Sequence, residues 1–235
     1  MGQKVIRIPG PSSKPVILEA EPEWIEIDLA RTGIIVVDMT NSAFRPSGYA
    51  DSIGWKRVPE GIEERIKKIN SAARATGVKV IYIAHRYSPD LLETGGPTSP
   101  NWYKDYNLIL YREHPEWRDR VTIKGAWGGE IIDEIKPQEG DIIVEKQRYS
   151  CFVGTNLDSI LKTCNIKYLV FTGVGTSICV DAGLRDAFYH DYFPILISDA
   201  AATGGPLSVH EATIWNVEHC YGWVTTAENV IKAME

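Results

Sequence analysis

Cysteine is sparse and unpatterned. Cys151, Cys164, Cys179 and Cys220 are the only four in 235 residues, and no CxxC pair occurs. That argues against a disulfide framework and a cysteine zinc site, and leaves reduced thiols in a cytoplasmic setting as the expectation. Positive charge is also short, with 25 Lys and Arg against 31 Asp and Glu for a net −6. Without a basic cluster, the attraction to phosphate that drives binding to nucleic acid or an anionic membrane is missing. No apolar run approaches the roughly 20 residues that span a bilayer. The start, Met1-Gly2-Gln3-Lys4-Val5-Ile6, has Ile where myristoylation wants Ser or Thr, and no apolar secretory segment follows. What is present is 44% hydrophobic residues, enough to build a core.

Residues 1–31 are rich in proline (Pro9, Pro11, Pro15, Pro22) and charge, and read as an arm that wraps a neighbour or frays. Gly33-Ile34-Ile35-Val36-Val37-Asp38 is a short apolar run ending in an acid, the pattern of a strand covered on both faces. The spacing of Ile62, Ile66, Ile69, Ala72 and Ala73 predicts a helix over 59–75, opened by Pro59 and closed by Gly77. Strands follow at 78–84, 141–145, 168–172 and 195–198, and helices at 156–163, 178–189 and 208–219. Such alternation predicts a doubly wound parallel sheet in one domain over 32–235. Residues 86–127 break the rhythm with Gly95-Gly96-Pro97, Trp102, Trp117 and Trp127. They read as a long functional loop, a lid or a subunit contact.

Ligands of open parallel sheets bind beyond the carboxyl ends of the strands, so reactive groups are sought there. The first strand ends in Asp38 and the strand at 141–145 runs into Lys146. The strand at 168–172 leads through Gly173-Val174-Gly175-Thr176-Ser177-Ile178 to Cys179, at the opening of a helix. There, helix N–H groups and a nearby ammonium favour a thiolate. An acid can take the thiol proton and return it to a leaving nitrogen, and a glycine turn can aim N–H groups at an oxyanion. Plainer readings stand beside these: Asp38 as a turn cap, Lys146 as an edge lysine with Lys124 competing for its role, and the other cysteines as small core residues. Gly173-x-Gly175-x-x-Ile178 imitates a dinucleotide fingerprint but lacks the third glycine and comes late in the chain. The histidines (85, 114, 190, 210, 219) are scattered, and only His85 follows a strand at the expected edge.

The blocks Ile35-Val36-Val37-Asp38-Met39-Thr40-Asn41, Glu145 to Phe152 and Thr172 to Val180 resemble, in this order, the signature blocks of the isochorismatase-like cysteine hydrolases. The resemblance covers about residues 30–225. It implies a triad of Asp38, Lys146 and Cys179, an oxyanion hole from the N–H groups of Gly175 and Cys179, and a cis peptide between Val174 and Gly175. Further segments (Gly95 to Asn101, Lys124 to Trp127, Leu157 to Leu161, Leu184 to Asp186) are similar to the branch of the family acting on ureidoacrylate, and favour Lys146 over Lys124. Thr40, Gly175 and His85-Arg86-Tyr87 depart from that branch, on the substrate side. Nicotinamidase relatives carry an Asp/His metal site after the second strand, where only His85 stands here, so no catalytic metal and no cofactor are expected.

The expectations are a three-layer αβα fold around a doubly wound, mainly parallel, six-stranded sheet, and a cysteine-dependent amidohydrolase cleaving a small ureido or carbamoyl compound. Asn41, Phe44, His85, Arg86, Tyr149 and Phe152 are expected to touch substrate, with Arg86 or Arg148 on a carboxylate. Biuret, an N-carbamoyl amino acid or another small amide are alternative substrates. Isochorismate hydrolysis, a non-catalytic binding protein of this fold and a nucleotide-dependent oxidoreductase are further alternatives. The partner is a small molecule, not nucleic acid or membrane. The aromatic segment and the arm suggest a homo-oligomer, a dimer or tetramer.

Overall fold

A computed structural model describes residues 5–7 and 14–235 of the chain. The residues before Val5, and Pro9 and Pro11 in the expected arm, lie outside the described residues. Short strands β1 (Val5–Arg7), β2 (Pro15–Leu18) and β3 (Trp24–Asp28) pair in the order β1-β3-β2. Leu18, Ile25 and Ile27 are buried in the main core. This part of the expected arm therefore packs on its own chain, because its alternating apolar residues have a face to cover.

The main sheet contains β4 (Thr32–Val37), β5 (Lys79–His85), β6 (Ile142–Lys146), β7 (Tyr168–Val174), β8 (Phe193–Ala202) and β9 (Trp223–Thr225). All neighbours pair in parallel, in the order β6-β5-β4-β7-β8-β9. Every residue of β4 is buried, since helices cover both faces. Ile34 and Val36 share one buried cluster with residues of the helices Ile62–Thr76 and Ala227–Met234. Ile35 and Val37 meet Leu157–Thr163 and Asp181–Tyr189 on the other side. The fold is thus the expected three-layer, doubly wound one. Strand β9 has only three residues, too few for a periodic signal in the sequence.

The helix expected over 59–75 runs from Ile62 to Thr76 between Gly61 and Gly77, both left-handed. Residues 86–127 are not an open loop. Helices Pro100–Lys104 and Tyr106–Glu113 lie within them, around a small core of Tyr87, Leu108, Leu110, Val121, Ile123 and Ala126. The segment crosses the carboxyl end of the sheet and walls the cleft described below.

Chain direction across the sheet reverses between β4 and β7, which places a crevice at their carboxyl ends. There Gly173, with φ +105°, pairs with Val37, and a Cβ at this glycine would stand 2.1 Å from the Val37 carbonyl oxygen. Gly173→Ala combines a left-handed backbone with a clash that only strand separation relieves. It is expected to cost about 3 kcal/mol or more, measured as a loss of stability in urea unfolding.

Candidate active site

Four strand ends converge on the crevice. Asp38 follows β4 in a left-handed conformation (φ 51°), turning its carboxylate across the end of β5. Oδ1 accepts from the His85 N–H at 2.8 Å and Oδ2 faces Lys146 Nζ at 2.8 Å. Lys146 ends β6 and is wholly buried. Its three protons have three acceptors: Asp38, the Arg148 carbonyl at 3.1 Å and Cys179 Sγ at 3.3 Å. Lys124 instead pairs with Glu145 at the surface. Cys179 lies in a wide π-helical turn, Thr176–Val180, between β7 and the following helix.

Burial opposes the charge on Lys146, but the Asp38 carboxylate and the Cys179 sulfur outweigh it and hold the ammonium above its ordinary pKa. For Cys179 burial dominates, Asp38 adds to it, and Lys146 offsets only part, so the thiol is held well above its ordinary value. The ammonium favours a thiolate, as its placement predicts, but burial and Asp38 outweigh it. The low-dielectric site holds one ion pair, and a second anion beside Asp38 is disfavoured.

The Val174–Gly175 peptide is cis, as the resemblance implies. The Gly175 carbonyl accepts from Ile178 and Val180 at 3.0 and 3.1 Å, while its own N–H has no backbone partner among the described residues. Gly175 and Cys179 both line the cleft at these side chains, together with Asp38, Thr40, Ser42, Tyr49, Trp55, Arg57, His85, Tyr106, Asn107, Thr122 and Tyr149.

Of the six residues expected to touch substrate, His85 and Tyr149 line this cleft. Asn41 is turned to the Trp127 carbonyl, Phe44 lies under Arg57, and Phe152 stacks on His190. Arg86 is tied to the Gly129 carbonyl and Glu145, and Arg148 to the carbonyls of Glu93 and Gln147. None of these four, nor Arg148, is in the lining. Trp55, Arg57, Tyr106 and Thr122 went unrecognised, because none follows a strand of the sheet and Tyr106 opens only a short helix.

Asp105 was also missed. It caps the helix Tyr106–Glu113 through Oδ1, and its Oδ2 stands 3.4 Å from His85 Nε2. The angle falls short of a hydrogen bond, and both atoms are buried without another partner among the described residues. Burial first, then Lys146 and Arg148, hold His85 far below its ordinary pKa, so the ring is neutral. Burial likewise pushes Asp105 up to about 6, against the pull of the Leu108 N–H and Lys146. Asp38, His85 and Cys179 also offer possible metal-ligand atoms within 4.8 Å of one another. The Lys146 ammonium touches two of the three, so a metal cation would meet its charge there.

An acid, a lysine and a thiol on the strand ends of a doubly wound sheet are the parts of a cysteine hydrolase. The isochorismatase domain matches residues 32–229. The chain belongs to the isochorismatase family. It is 42% identical over 222 residues to the ureidoacrylate amidohydrolase RutB of Rhizobium rhizogenes, covering 94% of this chain and 90% of that one. It is 43% identical over 213 residues to RutB of Agrobacterium fabrum, covering 90% and 93%. Among solved structures, it resembles a cysteine hydrolase from Pseudomonas syringae with a TM-score of 0.73 and 27% identity, covering 94% of this chain and 98% of that one. It also resembles the N-carbamoylsarcosine amidase of Thermoplasma acidophilum, with a TM-score of 0.61, 27% identity and coverage of 84% and 97%.

Two outcomes follow from these electrostatics. Asp38→Asn removes a charge that raises the Cys179 pKa and leaves Lys146 unopposed, so the thiol should ionise at lower pH even as turnover is lost. Thiolate absorbance titrated against Cys179→Ala reads this, and an unchanged or higher pKa contradicts it. For Asp105 the folded pKa lies above the unfolded one. Its ionisation therefore costs stability as pH rises from about 4 to about 6, on the order of 2–3 kcal/mol. Asp105→Asn keeps the helix cap, and urea unfolding should show it gaining on the parent protein across that window.

Proposed function

We propose that the chain hydrolyses the ureido C–N bond of ureidoacrylate through a carbamoyl-cysteine. The observation that carries this is the buried Lys146 ammonium in contact with both Asp38 and Cys179 beneath the cleft. Likeness to the RutB enzymes over nearly the full chain supports the substrate. Asp38, Lys146 and Cys179 form the triad. The N–H groups of Gly175 and Cys179 form the oxyanion hole.

In this mechanism Asp38 takes the thiol proton as Sγ bonds to the ureido carbonyl carbon, and the carbonyl oxygen becomes an oxyanion held by the two N–H groups. Lys146 balances the thiolate character at sulfur. Collapse breaks the bond to the acrylate-bearing nitrogen, which leaves with the proton from Asp38 as aminoacrylate. Water, giving a proton to Asp38, attacks the carbamoyl-cysteine, and that proton returns to sulfur as carbamate leaves. Carbamate then decays to ammonia and carbon dioxide. Neutral His85 and Tyr149 line the place where the ureido group must sit.

The working unit spans residues 32–235 with an N-terminal extension. No helix among the described residues is long and apolar enough to cross a membrane, and the free cysteines suit a reducing, cytoplasmic setting. A homo-oligomer, a dimer or tetramer, belongs to this reading. The exposed, mutually packed Phe188 and Tyr189 offer it apolar surface, and a monomer by light scattering would remove it.

Ammonia release is the test, with ureidoacrylate, biuret and N-carbamoyl amino acids side by side. Ureidoacrylate is expected to turn over fastest, and Cys179→Ala to lower kcat at least about 10³-fold. Activity surviving that substitution would break the mechanism, and turnover of another ureide alone would break the substrate assignment.

A further inference from the structure

Resting on this reading, we propose that Arg57 is the carboxylate-binding residue of the cleft and sets the preference for acidic ureides. Among the described residues it is the only lysine or arginine in the lining. Its neighbours fix it in place. Val58 pairs with Thr203 beyond the end of β8 through hydrogen bonds of 2.9 and 3.0 Å. The indole of Trp55 packs on Gly204 so closely that a Cβ there would stand 2.4 Å from it. Residues 55–58 are thereby held across the carboxyl end of the sheet.

The guanidinium is oriented as well as placed. It lies 4.3 Å over the Phe44 ring, and Nη1 donates to the Ala43 carbonyl at 2.6 Å. No other hydrogen bond or ion pair engages it among the described residues, so the Nε–Nη2 edge has no protein partner. That edge is the planar two-donor fork that matches a carboxylate. Burial lowers the pKa of Arg57 against the more distant pull of Glu63 and Glu60, and an arginine so placed still carries its charge. A partly desolvated cation without an acidic partner gains from an anionic ligand. The other cationic candidates stand outside the lining: Arg86 is held by the Gly129 carbonyl and Glu145, and Arg148 by the carbonyls of Glu93 and Gln147 through Nη1.

The test compares ureidoacrylate with its primary amide, which removes the charge and keeps the ureido group. Calorimetry in the Cys179→Ala background gives the two Kd values with Arg57 intact, with Arg57→Met and with Arg57→Lys. With Arg57 present the acid should bind more tightly than the amide. Arg57→Met should collapse that ratio about ten- to a hundredfold, with Arg57→Lys between the two. In otherwise unaltered enzyme the same ratio should appear in kcat/KM and arise in KM. No preference for the acid with Arg57 intact, or a ratio that Arg57→Met leaves unchanged, overturns the proposal. Thermal melting identifies a misfolded Arg57→Met, in which case the ratio measured with Arg57→Lys decides. Failure of the amidohydrolase reading shows separately, as no Cys179-dependent ammonia from ureidoacrylate, while the Kd ratio still judges Arg57.

Discussion

The wholly buried Lys146 ammonium is the constraint around which the site is built. An unpaired ammonium in such surroundings would cost several kcal/mol, and removing one member of a buried pair costs roughly 3–5 kcal/mol. The structure answers with three acceptors from three places: the Asp38 carboxylate after β4, the Arg148 carbonyl after β6 and the Cys179 sulfur after β7. Each acceptor depends on strand register. β4 is held to β7 at Val37 and Gly173, and β5 to β6 at His85 and Lys146. A shift of either pairing would strand the charge, so the sheet and the chemistry are specified together.

The same constraint explains why Cys179 rests as a thiol. One cation and one anion already balance, and burial penalises a further anion more than Lys146 rewards it. A nucleophile held neutral in this way is protected from unspecific chemistry. In the proposed mechanism it is released when a carbonyl carbon is at hand to accept the sulfur and Asp38 to accept the proton. The N–H group of Gly175 has no backbone partner among the described residues, in keeping with the oxyanion-holding part proposed for it.

Much of this was legible in the sequence because parallel strands buried on both faces announce themselves as apolar runs. Pattern placed Asp38, Lys146 and Cys179 at strand ends as candidates, and the family resemblance chose Lys146 over Lys124. The doubly wound class followed from the alternation of strands with helices, while the order of the strands came only with the structure. What stayed hidden lay where no period exists. The segment 86–127 reads as loop because its helices are short, and its core forms only when Tyr87 and Ile123 meet. Strands β2 and β3 were hidden by prolines. Arg57 and Asp105 reach the cleft and His85 through turns, and residue spacing carries no record of that. Asn41, Phe44, Arg86 and Phe152 stand near strand ends in sequence, but their side chains engage other partners and are not in the lining. The family relation thus speaks to the chemistry, while the specificity proposed above rests on Arg57, in an irregular segment.

The central claim, that Cys179 is a neutral thiol until substrate arrives, is tested most directly by alkylation of the resting enzyme with iodoacetamide as a function of pH. Mass spectrometry of the peptide carrying Cys179 separates its rate from that of exposed Cys220. The rate at Cys179 should keep rising through the ordinary thiol pKa of 9.0 without reaching a plateau. A plateau already reached at neutral pH would show a resting thiolate and contradict the account.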